Sequence, residues 1–437
     1  MTPRNEKGAR KSPGGKAGKK EAAKAAAAAA KETAAPAAAP QPSVTAIVLN
    51  YNARLETMLK CLASLERQSY RNLHLLLVDN ASTIDILSEV ARKHPKVELL
   101  RLDRNYGFSG GINRGMAHAG SDYVCLLNFD TIVEPSAIAE MVAVAEGDHA
   151  IAGVAPKMMF ADNPHIFDSV GTAMVENAGA FNQAIGQPDI GQYDIPERVF
   201  GACFGAALLR KSEFKAENTG PLDESYFMYF EDVDWCFRAN LLGRGFYTAP
   251  AAVVYHEHSA SVKDMGYNYK YRLIELNLLR TVVKNFQRRQ AVRISLTRLR
   301  THLENALKDG NGRRLVSLAI ITAFLLDLPQ LLPKRWEVQR RRQVKDRDIL
   351  RHSFRELPYY DPAGYHPFYQ LETLIAAYRR LHALTGNGNS LAIWRGLEAL
   401  ASSKLKFEPD VLSQRLAELL ADQPEHVRQF AAQVREE

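Results

Sequence analysis

The chain has 437 residues, 46% hydrophobic and 24% charged, a globular balance that excludes a disordered or fibrous protein. Its four cysteines, Cys61, Cys125, Cys203 and Cys236, contain no CxxC pair. That excludes a disulfide framework and a structural zinc module, and suits a reducing compartment. The net charge of +7 is unevenly spread: residues 1–42 hold nine Lys/Arg and three acids, residues 270–356 hold twenty-one and eight, and the remainder is acidic by twelve. An acidic body with two basic segments points to phosphate-bearing partners.

Residues 1–42 are rich in Lys, Ala and Pro and read as a disordered basic tail without the apolar core of a secretory signal. Structure is expected from Ser43. Val44–Leu49 is a short apolar strand ending in Asn50-Tyr51-Asn52, followed by a helical pattern over about 54–68 with Leu55, Met58, Leu59, Leu62 and Leu65 on one side. Leu73–Val78 is a second strand, ending in Asp79-Asn80-Ala81-Ser82. A helix near 84–94, a third strand over 97–102, a Gly-rich turn with a helix, and a strand over 123–127 follow. Buried strands alternating with amphipathic helices predict an α/β fold, a mostly parallel sheet covered on both faces. Ligands of such sheets sit at the carboxyl ends of the strands, where Asn52, Asp79 and Asp130 fall.

Five groups carry chemistry. Asp79, with Asn80 and Ser82, can accept hydrogen bonds from a base or ribose, or serve as an Asx turn. The stretch 105–115, with Asn105, Gly107, Gly111, Asn113 and Arg114, brings backbone N–H groups to an anion at a helix start, but follows the third strand and not the first as a dinucleotide loop does. Asn128-Phe129-Asp130-Thr131 delivers a carboxylate fit for Mg²⁺ or Mn²⁺ shared with a diphosphate. Tyr229 precedes Glu231, Asp232 and Asp234 at a helix start, where an aromatic wall can raise a carboxyl pKa towards that of a general base. His256, after the apolar run 251–255, can complete a metal site.

The order of these pieces resembles the family 2 inverting glycosyltransferases of the GT-A fold, in particular their rhamnosyltransferase-like branch, over about residues 44–285. The resemblance implies donor contacts from Asn52, Asp79, Asn105, Gly107, Gly111, Asn113 and Asn128. It implies a divalent cation, Mn²⁺ or Mg²⁺, on Asp130 and His256, with Asn128 standing where the family's first metal-motif acid lies. Asp232 takes the place of the base, and Tyr229, Glu231 and Asp234 the acceptor side. Partners are then a nucleotide-sugar donor and a glycan or lipid-linked acceptor of cell-surface polysaccharide synthesis, with no specific nucleic acid. A non-catalytic carbohydrate or nucleotide binder and a nucleotidyltransferase are the rivals; the latter lacks its basic Gly-rich loop at Tyr51-Asn52-Ala53-Arg54.

Four regions follow: the tail 1–42, a GT-A domain 43–268, a basic helical segment 269–357 and a helical region 358–437, with helices expected over 371–384, 391–402 and 410–420. Leu315–Leu332 is 18 residues long but contains Asp327 and Pro329. A span needs about 20 apolar residues, and a central Asp costs about 2.5–3.5 kcal/mol. The segment is therefore expected to be an interfacial or buried helix, on a cytoplasmic protein peripheral to the inner face of the membrane.

Overall fold

The computed structural model describes residues 41–257, 266–308, 313–350 and Arg380. In chain order the elements are β1 (Val44–Asn50), α1 (Leu55–Glu66), β2 (Leu73–Asp79), α2 (Leu87–Lys93), β3 (Glu98–Arg101), α3 (Gly107–His118), β4 (Tyr123–Asn128), β5 (Thr131–Val133) and α4 (Ala137–Glu146). There follow β6 (Ile151–Phe160), β7 (Asn163–Ser169), β8 (Thr172–Met174), β9 (Ala180–Asn182), β10 (Arg198–Val199), β11 (Ala206–Arg210), α5 (Glu231–Leu241) and β12 (Gly245–His256). Four helices complete the described chain: α6 (Tyr267–Asn285), α7 (Arg288–Lys308), α8 (Arg313–Arg340) and α9 (Asp346–Ile349).

One sheet organises the body, in the order β10-β12-β6-β11-β4-β1-β2-β3, with β5 on β12 and β7 on β6. The β4-β1-β2-β3 half is parallel. The expectation of a mostly parallel sheet holds there and is modified beyond it, because β11 runs antiparallel between β4 and β6. The inner strands β4, β1 and β2 are largely apolar, with Ile47, Val48, Leu76, Leu77, Val124 and Leu126 all buried, since helices cover both faces; the edge strand β3 is half-buried. On one face α1 lays Met58, Cys61, Leu62 and Leu65 into the core; on the other, α3 places Ile112 and Met116. Chain order reverses direction between β1 and β4, which opens a crevice at their carboxyl ends.

Two expected boundaries shift. The Gly-rich stretch is not a loop before a helix; Gly107, Gly110, Gly111 and Gly115 lie inside α3. The helix expected from residue 84 begins at Leu87, because the Asn52 side-chain carbonyl accepts from the Thr83 and Ile84 amides and Asp85 accepts from Leu87 N–H. The tail 1–40 and the helices expected over 371–384, 391–402 and 410–420 lie outside the described residues, Arg380 excepted.

The apolar run 315–332 belongs to the longer α8, which is long and apolar enough to cross a membrane by length and composition. It is nevertheless fastened to the body through its polar groups. Arg280 of α6 donates from Nε to Asp327 at 2.7 Å, Lys334 Nζ reaches Asp223 at 2.6 Å, and Gln339 donates to the Lys284 and Asn285 carbonyls. A second apolar cluster, with Leu276, Leu279, Ile320, Phe324 and Leu331, joins α6 to α8.

Candidate active site

The crevice is floored by the ends of β1 and β2. In-register parallel pairing sets Asn50 beside Asp79. Asn50 donates from Nδ2 to Asp79 Oδ1 at 2.8 Å and to Ser82 Oγ at 3.1 Å, and Arg101 Nε lies 3.6 Å from the other Asp79 oxygen. Asn50 was not singled out in the sequence, although its register with Asp79 follows once the two strands are aligned. Asn52, expected to meet a donor, instead shapes the turn over 82–84 from a left-handed backbone (φ +56°), its carbonyl taken by Thr83 and Ile84.

At the end of β4, Asn128 lies over Gly205 and receives the Gly205 carbonyl on its own N–H at 2.8 Å. Two residues on, β5 pairs with the end of β12 so that Thr131 faces His256. The Asp130 carbonyl accepts from Glu257 N–H at 2.9 Å. His256 Nε2 therefore stands 3.3 Å from Asp130, while its Nδ1 lies 2.7 Å from Asp168. Asp168, on β7, is fully buried and also accepts from Asn182. Burial alone would lower the His256 pKa, but hydrogen bonds to Asp130 and Asp168 overcome it and raise the group to about 10. One imidazolium is thus shared between two carboxylates, which leaves the group with a net negative charge. Asp168 is the residue that sequence reasoning missed here, since a single Asp in the polar strand NPHIFDS carries no spacing signal.

The third component is the loop before α5. Phe227, Tyr229 and Phe230 all have left-handed backbones. This costs about 1–2 kcal/mol for each such residue, so surrounding contacts must hold it. Asn277 of α6 provides them: its Nδ2 donates to the carbonyls of Tyr226 (3.0 Å), Met228 (2.9 Å) and Tyr229 (2.8 Å), and Arg280 donates to its Oδ1 at 2.9 Å. Trp235, fully buried, anchors the helix beneath; it packs on Phe204, Phe214 and Phe246 and donates to the Gly220 carbonyl.

This loop and helix present Glu231 and Asp232. Burial raises Asp232 to about 6 against hydrogen bonds from the Val233 and Phe204 amides. Burial and then the Asp232 charge push Glu231 well above the usual carboxyl range. Glu231 Oε2 is buried without a hydrogen-bond partner. Of this adjacent pair, Asp232 is the one that ionises more readily and so is free to accept a proton. Cys203 lies between the two acidic groups: burial raises its thiol, and the charges of Asp232, Asp168 and Glu231 add to that. Asp130, His256, Asp168, Glu231 and Asp232 so converge on one end of the sheet.

Asp234 is elsewhere. Expected on the acceptor side, it points into the interior, where Tyr226, Asn285, Lys284 and Arg238 surround it. Burial alone would raise its pKa, but Lys284 and Arg238 hold it below the usual range. Its position is set by the need to tie α5 to α6. Tyr229 remains in the loop, with the Lys270 ammonium 5.4 Å from its ring.

The Gly-rich residues also have structural roles of their own. Asn105 Oδ1 accepts from Asn80 and from Gly107 N–H, which fixes the entry to α3. Gly111 sits against Leu49, where a Cβ would come within 2.7 Å of its side chain, so close helix–strand packing requires it. Gly107 (φ +69°) lies beneath Phe227, and Ser109 N–H donates to the Phe227 carbonyl at 3.2 Å. Asn113 exchanges hydrogen bonds with Leu222 N–H and its carbonyl, and Arg114 reaches Glu224 at 2.9 Å. These residues seat the loop that carries Asp232. Among the described residues, no group of three His, Cys, Asp or Glu side chains is arranged to hold a metal ion.

A mostly parallel sheet interrupted by the antiparallel β11, with acids at its strand ends, is the arrangement of the GT-A fold. Residues 45–216 match the family described as Glycosyl transferase family 2. Similar proteins include the "Amylovoran biosynthesis glycosyltransferase AmsB" of Erwinia amylovora, 25% identical over 54% of this chain and 78% of that protein. Another is the "N-acetylglucosaminyl-diphospho-decaprenol L-rhamnosyltransferase" of Mycobacterium tuberculosis, 27% identical over 51% of this chain and 78% of that one. Among solved structures, GalNAc-T7 with UDP, GalNAc and Mn²⁺ shares the fold at a TM-score of 0.50 and 13% identity, over 67% of this chain and 58% of the other. Residues 45–216 of the chain thus carry the match to Glycosyl transferase family 2, and the similar proteins named here are glycosyltransferases.

Proposed function

We propose that the protein is an inverting enzyme that moves a sugar from a nucleotide-diphosphate donor to a hydroxyl of a glycan or lipid-linked acceptor in cell-surface polysaccharide synthesis. The observation that carries this reading is Asp232: a carboxyl raised to about 6 by burial at the start of α5, near enough to Cys203 that its charge and that of Asp168, the partner of His256, both raise the thiol. The acceptor oxygen attacks the anomeric carbon, its proton passes to Asp232, and the bond from that carbon to the diphosphate breaks. One displacement inverts the centre without a covalent nucleophile. Asp79, held by Asn50, faces the nucleoside, and Asn128 the diphosphate. Glu231, its carboxyl pushed well above the usual range by burial, flanks Asp232 on the acceptor side.

Asp130 and His256 would be the residues to hold a divalent cation, which would have to replace the proton that His256 Nε2 shares with Asp130, while Asp168 keeps the imidazole oriented through Nδ1. Such a cation, Mn²⁺ or Mg²⁺, neutralises charge on the leaving diphosphate when bound. Two protein ligands suffice, since these ions keep waters and share substrate oxygens. Residues 43–268 form the catalytic unit in this reading, with 269–357 its helical cap, on the cytoplasmic side where it is peripheral to the inner membrane face.

The test is thermal stabilisation and donor hydrolysis across UDP-, dTDP- and GDP-sugars with Mn²⁺, Mg²⁺ or EDTA. One nucleotide sugar should stabilise the protein, the effect should weaken with EDTA, and Asp232→Asn should keep the stabilisation but lose transfer. No shift with any nucleotide sugar under any metal would overturn the reading.

A further inference from the structure

The two helices that cover the body from outside carry apolar side chains that face away from it. On α7, Val292, Leu296, Leu303 and Leu307 are exposed, while Ala291, Ile294, His302 and Ala306 are buried. At 100° per residue, the exposed four fall within an arc of about 60°. On α8, Leu315, Leu318, Leu325, Leu326, Leu332 and Trp336 are exposed, within an arc of about 120°. Leu307 is 78% exposed and Leu326 is 72% exposed. Single exposed leucines need no explanation, but two helix-long stripes do.

Charge says what covers them. Arg289, Arg293 and Lys308 lie exposed on α7 and Arg313 at the start of α8. Segment 270–356 carries a net +13 on a body that is otherwise acidic. Leucine stripes edged by arginine and lysine match an anionic bilayer, where the apolar face enters the headgroup boundary by about 5–10 Å and each nearby cation adds about 1 kcal/mol. A second copy meeting this face through the same face would oppose like charges. Nor does α8 leave the body to span, since Asp327 and Lys334 are engaged with Arg280 and Asp223.

We infer that α7 and α8 together form a docking surface for an anionic lipid bilayer, on which the enzyme lies without spanning. This names the surface behind the peripheral location proposed above and stands apart from the glycosyl-transfer chemistry. The experiment uses the full chain with sedimented vesicles of phosphatidylcholine alone or with phosphatidylglycerol. The wild type should pellet with the anionic vesicles and be released by high salt. The double variant Leu296→Glu/Leu303→Glu, with an unchanged melting temperature and unchanged nucleotide-sugar stabilisation, should bind roughly tenfold more weakly. A wild type that stays in solution with both vesicle types would overturn the inference. So would a double variant that binds as well as the wild type, or a wild-type dimer without vesicle binding that the double substitution splits into monomers. In each of these cases the nucleotide-sugar stabilisation would leave the transferase reading untouched.

Discussion

Asn277→Ala tests the claim that α6 holds the base in position. The side chain donates to three loop carbonyls and accepts from Arg280. An amide has two hydrogens, so at most two of the three bonds are at full strength. Two net hydrogen bonds at about 1 kcal/mol each, plus about 1–2 kcal/mol for carbonyls left buried and unpaired, give a loss of about 3 kcal/mol. For a domain of this size each kcal/mol moves the melting temperature by about 2–4 °C, so a fall of about 6–12 °C is expected. Catalysis should suffer separately. With the clamp gone, the left-handed backbones of Phe227, Tyr229 and Phe230 relax, Asp232 moves with them, and kcat should fall at least tenfold below the melting transition. Donor stabilisation should persist, since the β1 and β2 ends are untouched. Asn277→Asp removes the donors at almost constant volume, so it should reproduce the defect if hydrogen bonding and not packing is responsible. A melting temperature within 2 °C of wild type, together with normal turnover in both variants, would refute the argument.

Asp232, raised to about 6, sets the pH dependence: transfer should rise with pH through about 6, falling about tenfold per unit below it, read as kcat/KM in a pH series. Because its folded pKa lies above its unfolded one, the native state binds more protons between about pH 4 and 6, and Asp232 costs stability above pH 6. Asp232→Asn should therefore abolish transfer while raising the melting temperature at pH 7.5. Asp168→Asn should weaken Mn²⁺ binding about 10–100-fold, measured by electron paramagnetic resonance without donor, because His256 loses its orienting partner. Trp235→Ala empties the centre of an aromatic cluster and should cost about 3–5 kcal/mol in urea unfolding.

The parallel half of the sheet was legible because its strands are buried on both faces and read as short apolar runs ending in polar residues. Asp79, Asp130 and Asp232 could be picked out on that basis, each at the end of an element. The rest of the sheet was not, since the antiparallel insertion of β11 and the parallel pairing of β6 with β12 depend on register, and register leaves no periodic trace in one sequence. Asp168 and Asn50 were missed for that reason: each matters through the strand beside it, with Asp168 meeting His256 across 88 residues. Asn277 lies on a helix read only as basic, and its clamp closes over 48 to 51 residues. The glycines of α3 were visible as a cluster, but a cluster of glycines is the same whether backbone approaches a ligand or another strand. Only the proximity of Leu49 and Phe227 distinguishes the two.

Gly107 has a wider consequence. A methyl group there would meet the Phe227 backbone and lie 2.5 Å from its ring, and neither can yield without moving the segment that leads to Asp232. Under the proposed transfer, α3 and the segment leading to Asp232 are therefore joined at a single bearing. Kinetic scans that sort residues by whose Michaelis constant they change should then find no clean division along residues 107–113.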